Sequence, residues 1–150
     1  MKLPILAAMA VLLVALLSGC ERDYMSERGF ALPAGDPIAG KETFLYMQCN
    51  ECHTIKGMDL PRVPLADPPF VELGGDVTRV KTYGDLVTSI INPSHKLAEG
   101  YPLDEVSNDG ESKMYVYNDF MTVQELIDVV MFLQPQYDVV IPYSAYPGYR

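Results

Sequence analysis

Apolar residues gather first at the start of the chain, where Leu3 to Leu17 is almost wholly hydrophobic behind the short positive start Met1-Lys2. At ~15 residues this run is shorter than the ~20 that a permanent membrane-spanning helix needs, and it fits the apolar region of a secretory signal. The pattern then turns polar: Glu21-Arg22-Asp23 and Ser26-Glu27-Arg28-Gly29 precede Pro33 and Gly35, so residues 20–35 read as a tether. Beyond it, apolar positions recur at helical spacing in three places, and nowhere do they alternate strictly enough to predict a strand. Asp36-Pro37 supplies an N-cap and a first-turn proline for a helix whose apolar contacts are Ile38, Phe44, Leu45 and Met47. Thr82-Tyr83-Gly84-Asp85 opens a second in capping-box fashion, followed by Leu86, Val87, Ile90 and Ile91 and stopped by Asn92-Pro93. Thr122-Val123-Gln124-Glu125 opens the third, with Val123, Leu126, Ile127, Val130 and Leu133 on one face and Pro135 as its end.

Two long segments, 54–81 and 94–120, join these helices, and the first carries Pro61, Pro64, Pro68, Pro69 and Gly74-Gly75. Loops of that length need something to pack on, and a large buried prosthetic group would serve. Composition agrees with a folded module: 150 residues, 49% hydrophobic and 21% charged, leave room for one domain with a real core. Formal net charge is −9, and becomes −10 once Lys2 leaves with the signal. A chain this acidic does not seek nucleic acid or anionic lipid. The charge suits steering towards a basic patch on a partner protein, and it equally suits solubility alone.

Cysteine usage narrows the chemistry. Leu17-Ser18-Gly19-Cys20 resembles the lipobox of bacterial lipoproteins. That resemblance implies a signal peptide of residues 1–19, cut before Cys20, with a diacylglyceryl group on the Cys20 sulfur and an acylated amino group. Two or three acyl chains would hold the protein firmly to a membrane, where one would not. The alternative is an uncleaved signal anchor with an incidental cysteine. If Cys20 carries lipid, Cys49 and Cys52 remain, and no further cysteine is available to tie either into a structural disulfide.

Cys49-Asn50-Glu51-Cys52-His53 is a C-x-x-C-H sequence, the signature of c-type haem attachment. Two thiols three positions apart on a helical turn can form thioethers to both vinyl groups of one haem, and the adjacent His53 can then ligate iron as the proximal ligand. Zinc is a rival reading, but it would need a fourth ligand, and His95 is the only other histidine. A thioredoxin-like dithiol is another, but it would need a βαβ setting that this helical pattern lacks.

Gly40-x-x-x-Phe44-x-x-x-x-Cys49-x-x-Cys52-His53-Thr54-Ile55 resembles the opening of class I cytochrome c domains. The resemblance covers about residues 37 to 134, and is carried by the haem motif and the last helix more than by the loops. It implies an all-α, cytochrome c-like domain over residues 36–136, three main helices and long loops wrapped around one covalent haem c, with residues 137–150 as a Tyr- and Pro-containing tail. Gly40 and Phe44 would then pack against the Phe132 region of the last helix. It further implies a methionine sulfur as sixth iron ligand several residues before that helix. Met114 matches the spacing, although Tyr115 stands where the family usually has proline; Met121 and His95 are the alternatives. Met25, Met47, Met58 and Met131 read as structural. A proline after the motif, Pro64 or Pro69, would offer its carbonyl to the His53 Nδ1–H. Tyr83, Tyr101, Tyr115 and Tyr117 could line the haem or hydrogen-bond its propionates, and they equally read as ordinary half-buried tyrosines, the preferred reading.

The implied function is a single-electron carrier and not an enzyme. It would be held by lipid on the periplasmic side of an inner or outer bacterial membrane. Its partners would be periplasmic or membrane-bound redox proteins, with no nucleic acid and no small-molecule substrate. A haem enzyme or gas sensor with an open iron site, and a zinc-binding lipoprotein, are the other classes.

Overall fold

The computed structural model describes residues 32–61 and 70–140. The signal run, Cys20, Met25, Pro64, Pro69 and the tail beyond residue 140 therefore lie outside the described residues. Those that are described belong to one unit, Leu32–Arg150.

The three helices start where the capping chemistry puts them. In α1 (Pro37–Tyr46) the Asp36 carboxylate accepts from the Ile38 and Ala39 N–H groups at 2.8 and 3.4 Å, with Pro37 in the first turn. After α1 the chain turns through Gln48, at a left-handed φ of 59°, into a 3-10 turn Cys49–Glu51. Helix α2 (Tyr83–Ile91) opens with a reciprocal box: the Thr82 hydroxyl accepts from the Asp85 N–H, and the Asp85 carboxylate from the Thr82 N–H. A four-residue α3 (Leu103–Val106) lies in the second long segment. Helix α4 (Val123–Leu133) opens with the same box on Thr122 and Glu125, and a 3-10 turn Gln134–Gln136 follows it. Among the described residues no helix is long and apolar enough to cross a membrane.

Helices α1 and α4 make the most extensive helix–helix contact of the fold. Gly40 permits it. A Cβ built there would lie 1.9 Å from the Asp128 carbonyl oxygen and 2.9 Å from the Phe132 Cβ. One turn on, Phe44 meets Phe132 edge to face, centroids 5.8 Å apart. Asp128, buried in α4, reinforces the crossing: its Oδ1 accepts from the Asp36 N–H at 2.8 Å and from Gln124 Nε2 at 2.9 Å. Helix α2 adds Leu86, Val87 and Ile90 to a core completed by Val129, Val130 and Leu133. Three of the expected apolar contacts do not form: Ile38 is 73% exposed, Val123 is 71% exposed, and Ile91, the last residue of α2, is 40% exposed. Ile38 lies about 200° around the helix from Gly40, and so on the far face. Val123 occupies the first helical position, beyond the end of the packed stripe.

Short strands, not foreseen in the hydrophobic pattern, organise the loops. β1 (His53–Ile55) pairs in parallel with β2 (Val71–Leu73), and β3 (Gly75–Val77) in parallel with β6 (Tyr137–Val139). β4 (Ser107–Asn108) and β5 (Glu111–Ser112) form a hairpin around Asp109-Gly110, both at positive φ as a tight two-residue turn requires. Segments of two or three residues are too short to display alternation, so periodicity could not reveal them. The strands also move the domain edges. Residues 137–139, expected in the tail, are paired into the fold, while Leu32 packs against the core from the expected tether.

Candidate functional site

A cavity of about 700 Å³ opens between the helices and the two long segments. Its wall includes Cys49, Cys52 and His53 from the turn after α1, Met114 and Met121 from the segment before α4, and apolar side chains of the core such as Phe44, Leu86 and Leu133. Three of the four residues singled out as iron ligands or alternatives are therefore gathered on one cavity, together with both attachment cysteines. His95 is not among its lining: it is exposed, in the 3-10 turn Pro93–His95, with its Nδ1 3.1 Å from the Asn92 carbonyl.

The C-x-x-C-H segment is fixed by the backbone. The Cys52 N–H donates to the Cys49 carbonyl at 3.2 Å, closing the turn, and the Val71 N–H donates to the Cys52 carbonyl at 2.9 Å. Within the turn Asn50 is buried, with its Nδ2 donating to the Pro61 carbonyl. His53 Nδ1 lies 3.1 Å from the Val71 carbonyl, which must be the acceptor, so Nδ1 carries the proton and Nε2 keeps its lone pair. The acceptor is thus a strand carbonyl in register with His53, where a proline after the motif was expected. Burial lowers the His53 pKa, partly offset by the bond to Val71, and so favours the neutral ring that can ligate a metal. Both thiols are free and shifted the other way. Burial pushes Cys49 up to about 11, and burial followed by the Glu51 charge raises Cys52. A redox dithiol needs a lowered thiol pKa, so these shifts run against that rival. Among the described residues no group of three or more His, Cys, Asp and Glu side chains is placed to hold a metal ion, as a zinc site would require.

The two methionines are held differently. The Met114 N–H donates to the Ser112 hydroxyl at 3.1 Å, and the Ser112 N–H to the Ser94 hydroxyl at 3.0 Å, tying this stretch to the turn after α2. Met121 is held by its N–H on the Tyr117 carbonyl at 2.8 Å. Both are half-buried against the core, as is Met58.

Three tyrosines line the cavity, and two of them, Tyr101 and Tyr117, are among those the sequence offered as haem neighbours. Tyr117 lines it, and its hydroxyl donates to the Met47 carbonyl at 2.9 Å; burial pushes its pKa up to about 12. Tyr101 lines it while its hydroxyl accepts from the Glu72 N–H at 2.9 Å, and Tyr137 reaches it from β6. Arg79, Lys81, Lys96 and Lys113 share the wall with Glu72, Asp76, Asp85 and Glu99, so the cavity is charge-balanced within an acidic chain. Lys96 and Glu99 pair at 3.1 Å. Compared with protein-family models, with curated proteins and with solved structures, the chain matches none.

Proposed function

We propose that this protein is a mono-haem c-type cytochrome lipoprotein that passes single electrons between periplasmic or membrane-bound redox proteins. The observation that carries the reading is the setting of His53. It follows two free cysteines in a closed turn, its Nδ1–H is committed to the Val71 carbonyl, and it shares a cavity wall with both candidate methionines. The donor set and the space fit a haem. The cavity's volume falls within the ~300–1,000 Å³ of cofactor sites, and its lining is apolar at the core with cations among its charged residues.

In this reading Cys49 and Cys52 would hold the ring through thioethers, His53 would bind the iron through Nε2, and Met114, or alternatively Met121, would bind it through sulfur. Bound there, the haem iron supplies a one-electron couple. The protein's own residues do the rest. The Val71 carbonyl fixes the tautomer and orientation of His53 and increases its basicity. Phe44, Leu86, Ile90, Val129 and Leu133 keep water from the ring and maintain a low local dielectric, and a thioether ligand favours reduced iron and raises the potential. With His53 and a methionine both holding the iron, no site would be left for a substrate, and the reading is therefore electron transfer rather than catalysis. Lipid on Cys20, followed by the polar stretch, would keep the domain on the periplasmic face of its membrane.

The test is to denature protein matured alongside c-type attachment machinery in acidified organic solvent and record a reduced pyridine spectrum of the polypeptide. Haem that stays with the chain and gives a two-thioether band is the expected result. A polypeptide free of haem would overturn the proposal. Haem that stays attached in a native ferrous protein that readily binds carbon monoxide would instead favour a haem enzyme or sensor.

A further inference from the structure

Resting on the haem reading above, we propose that Tyr117 is a positioning residue that sets how firmly the methionine sulfur is held on iron. The tyrosine lies between the two candidate ligands, three residues after Met114 and four before Met121. Its carbonyl accepts from the Phe120 and Met121 N–H groups at 2.9 and 2.8 Å, so its backbone shapes the turn that carries Met121. Its ring forms part of the cavity wall, and Tyr115 stacks on it edge to face at 4.9 Å. Its hydroxyl donates to the Met47 carbonyl at 2.9 Å, across 70 residues of sequence. Met47 is the C-cap of α1, two residues before Cys49.

One side chain therefore ties the methionine-bearing segment to the end of α1, two residues ahead of the turn that leads through both thiols to His53. Both sides of the iron would be referred to the same point of the backbone. A sulfur–iron bond is the weaker of the two axial bonds, and an external ligand replaces it only when the methionine segment swings away. The tie opposes that swing. Its contribution appears in the ligand-exchange equilibrium, and not only in global stability.

The experiment titrates ferric holoprotein with imidazole, following loss of the far-red sulfur-to-iron band, in wild type, Tyr117→Phe and Tyr115→Phe. The phenylalanine keeps the ring in the wall and removes only the hydroxyl. Imidazole should bind Tyr117→Phe roughly five- to tenfold more tightly than wild type, the scale of one ordinary intramolecular hydrogen bond. Tyr115→Phe, at an exposed ring outside the tie, should match wild type. Unchanged imidazole affinity in Tyr117→Phe would overturn the proposal, including where its denaturation midpoint falls, since that pattern marks a purely structural role. The pyridine spectrum of the same samples separates the two readings. Two-thioether haem with unchanged imidazole binding overturns the tie alone, whereas wild type without attached haem overturns both. Should Tyr117→Phe fail to load, proton exchange at the Tyr117 hydroxyl of the wild-type holoprotein decides. A slowly exchanging hydroxyl proton supports the tie, and one exchanging as freely as Tyr115 overturns it.

Discussion

At Gly40 the general preference of helices is reversed. Alanine in place of an exposed mid-helix glycine stabilises a helix by up to ~1 kcal/mol. Here the new methyl would meet the Asp128 carbonyl oxygen at 1.9 Å, a backbone atom that cannot rotate away. Overpacking should win, and Gly40→Ala should lower stability by about 2 kcal/mol, measured as a shift of the urea midpoint at unchanged m-value. The methionines separate by spectroscopy. Met114→Ala should abolish the far-red band of the ferric protein and leave covalent haem in place, while Met121→Ala should retain the band. The opposite pattern would make Met121 the ligand. Cys49, Cys52 and His53 stand out in the sequence by their own side chains, and all three line the cavity. The Val71 carbonyl was not, because any residue could supply it and only the register of β1 on β2 brings it to His53.

Helix starts were the most legible elements, because a cap is a local reaction between a hydroxyl or carboxylate and the next turn's N–H groups. Both capping boxes leave a pH signature. Hydrogen bonds from Thr82 lower the Asp85 pKa, and bonds from the Thr122 N–H and hydroxyl lower that of Glu125. A carboxylate with a depressed folded pKa contributes stability that is complete above its unfolded value, ~4, and fades as pH falls through the folded one. Melting temperature should therefore drop between about pH 5 and 3, and an Asp85→Asn, Glu125→Gln double variant should show a shallower fall. The strands stayed hidden for the opposite reason. The partners of β1 and β3 are set by tertiary packing, and a three-residue segment such as Gly75–Val77 carries no periodic signal of its own. The Asp109-Gly110 turn is the exception, since that dipeptide is itself a hairpin signal.

Across the whole molecule, the last described strand closes the fold back on its middle. β6 pairs with β3, the Val140 N–H reaches the Val77 carbonyl at 2.9 Å, and Tyr137 completes the cavity wall. Ending the chain after Gln136 should cost about 2 kcal/mol, the value of one large half-buried side chain with its pairing, read by chemical denaturation of the truncated and full-length proteins. The charge balance around the cavity matters at this scale too. With four basic and four acidic residues, the wall is balanced in formal charge, and the formal −9 of the chain resides elsewhere.

The crossing of α1 on α4 joins Asp36 to Asp128 over 92 residues. For a chain that emerges from its N-terminus as it is made, that separation becomes an interval of time. Val123 follows His53 by 70 positions, and at the usual ~5–20 residues per second α4 trails the cysteines by roughly 4–14 s. During that window the thiols cannot be shut behind α4, which has not yet been synthesised. On the proposed function, an attachment enzyme acting in that window would meet both thiols on an open chain, before α4 can pack on α1.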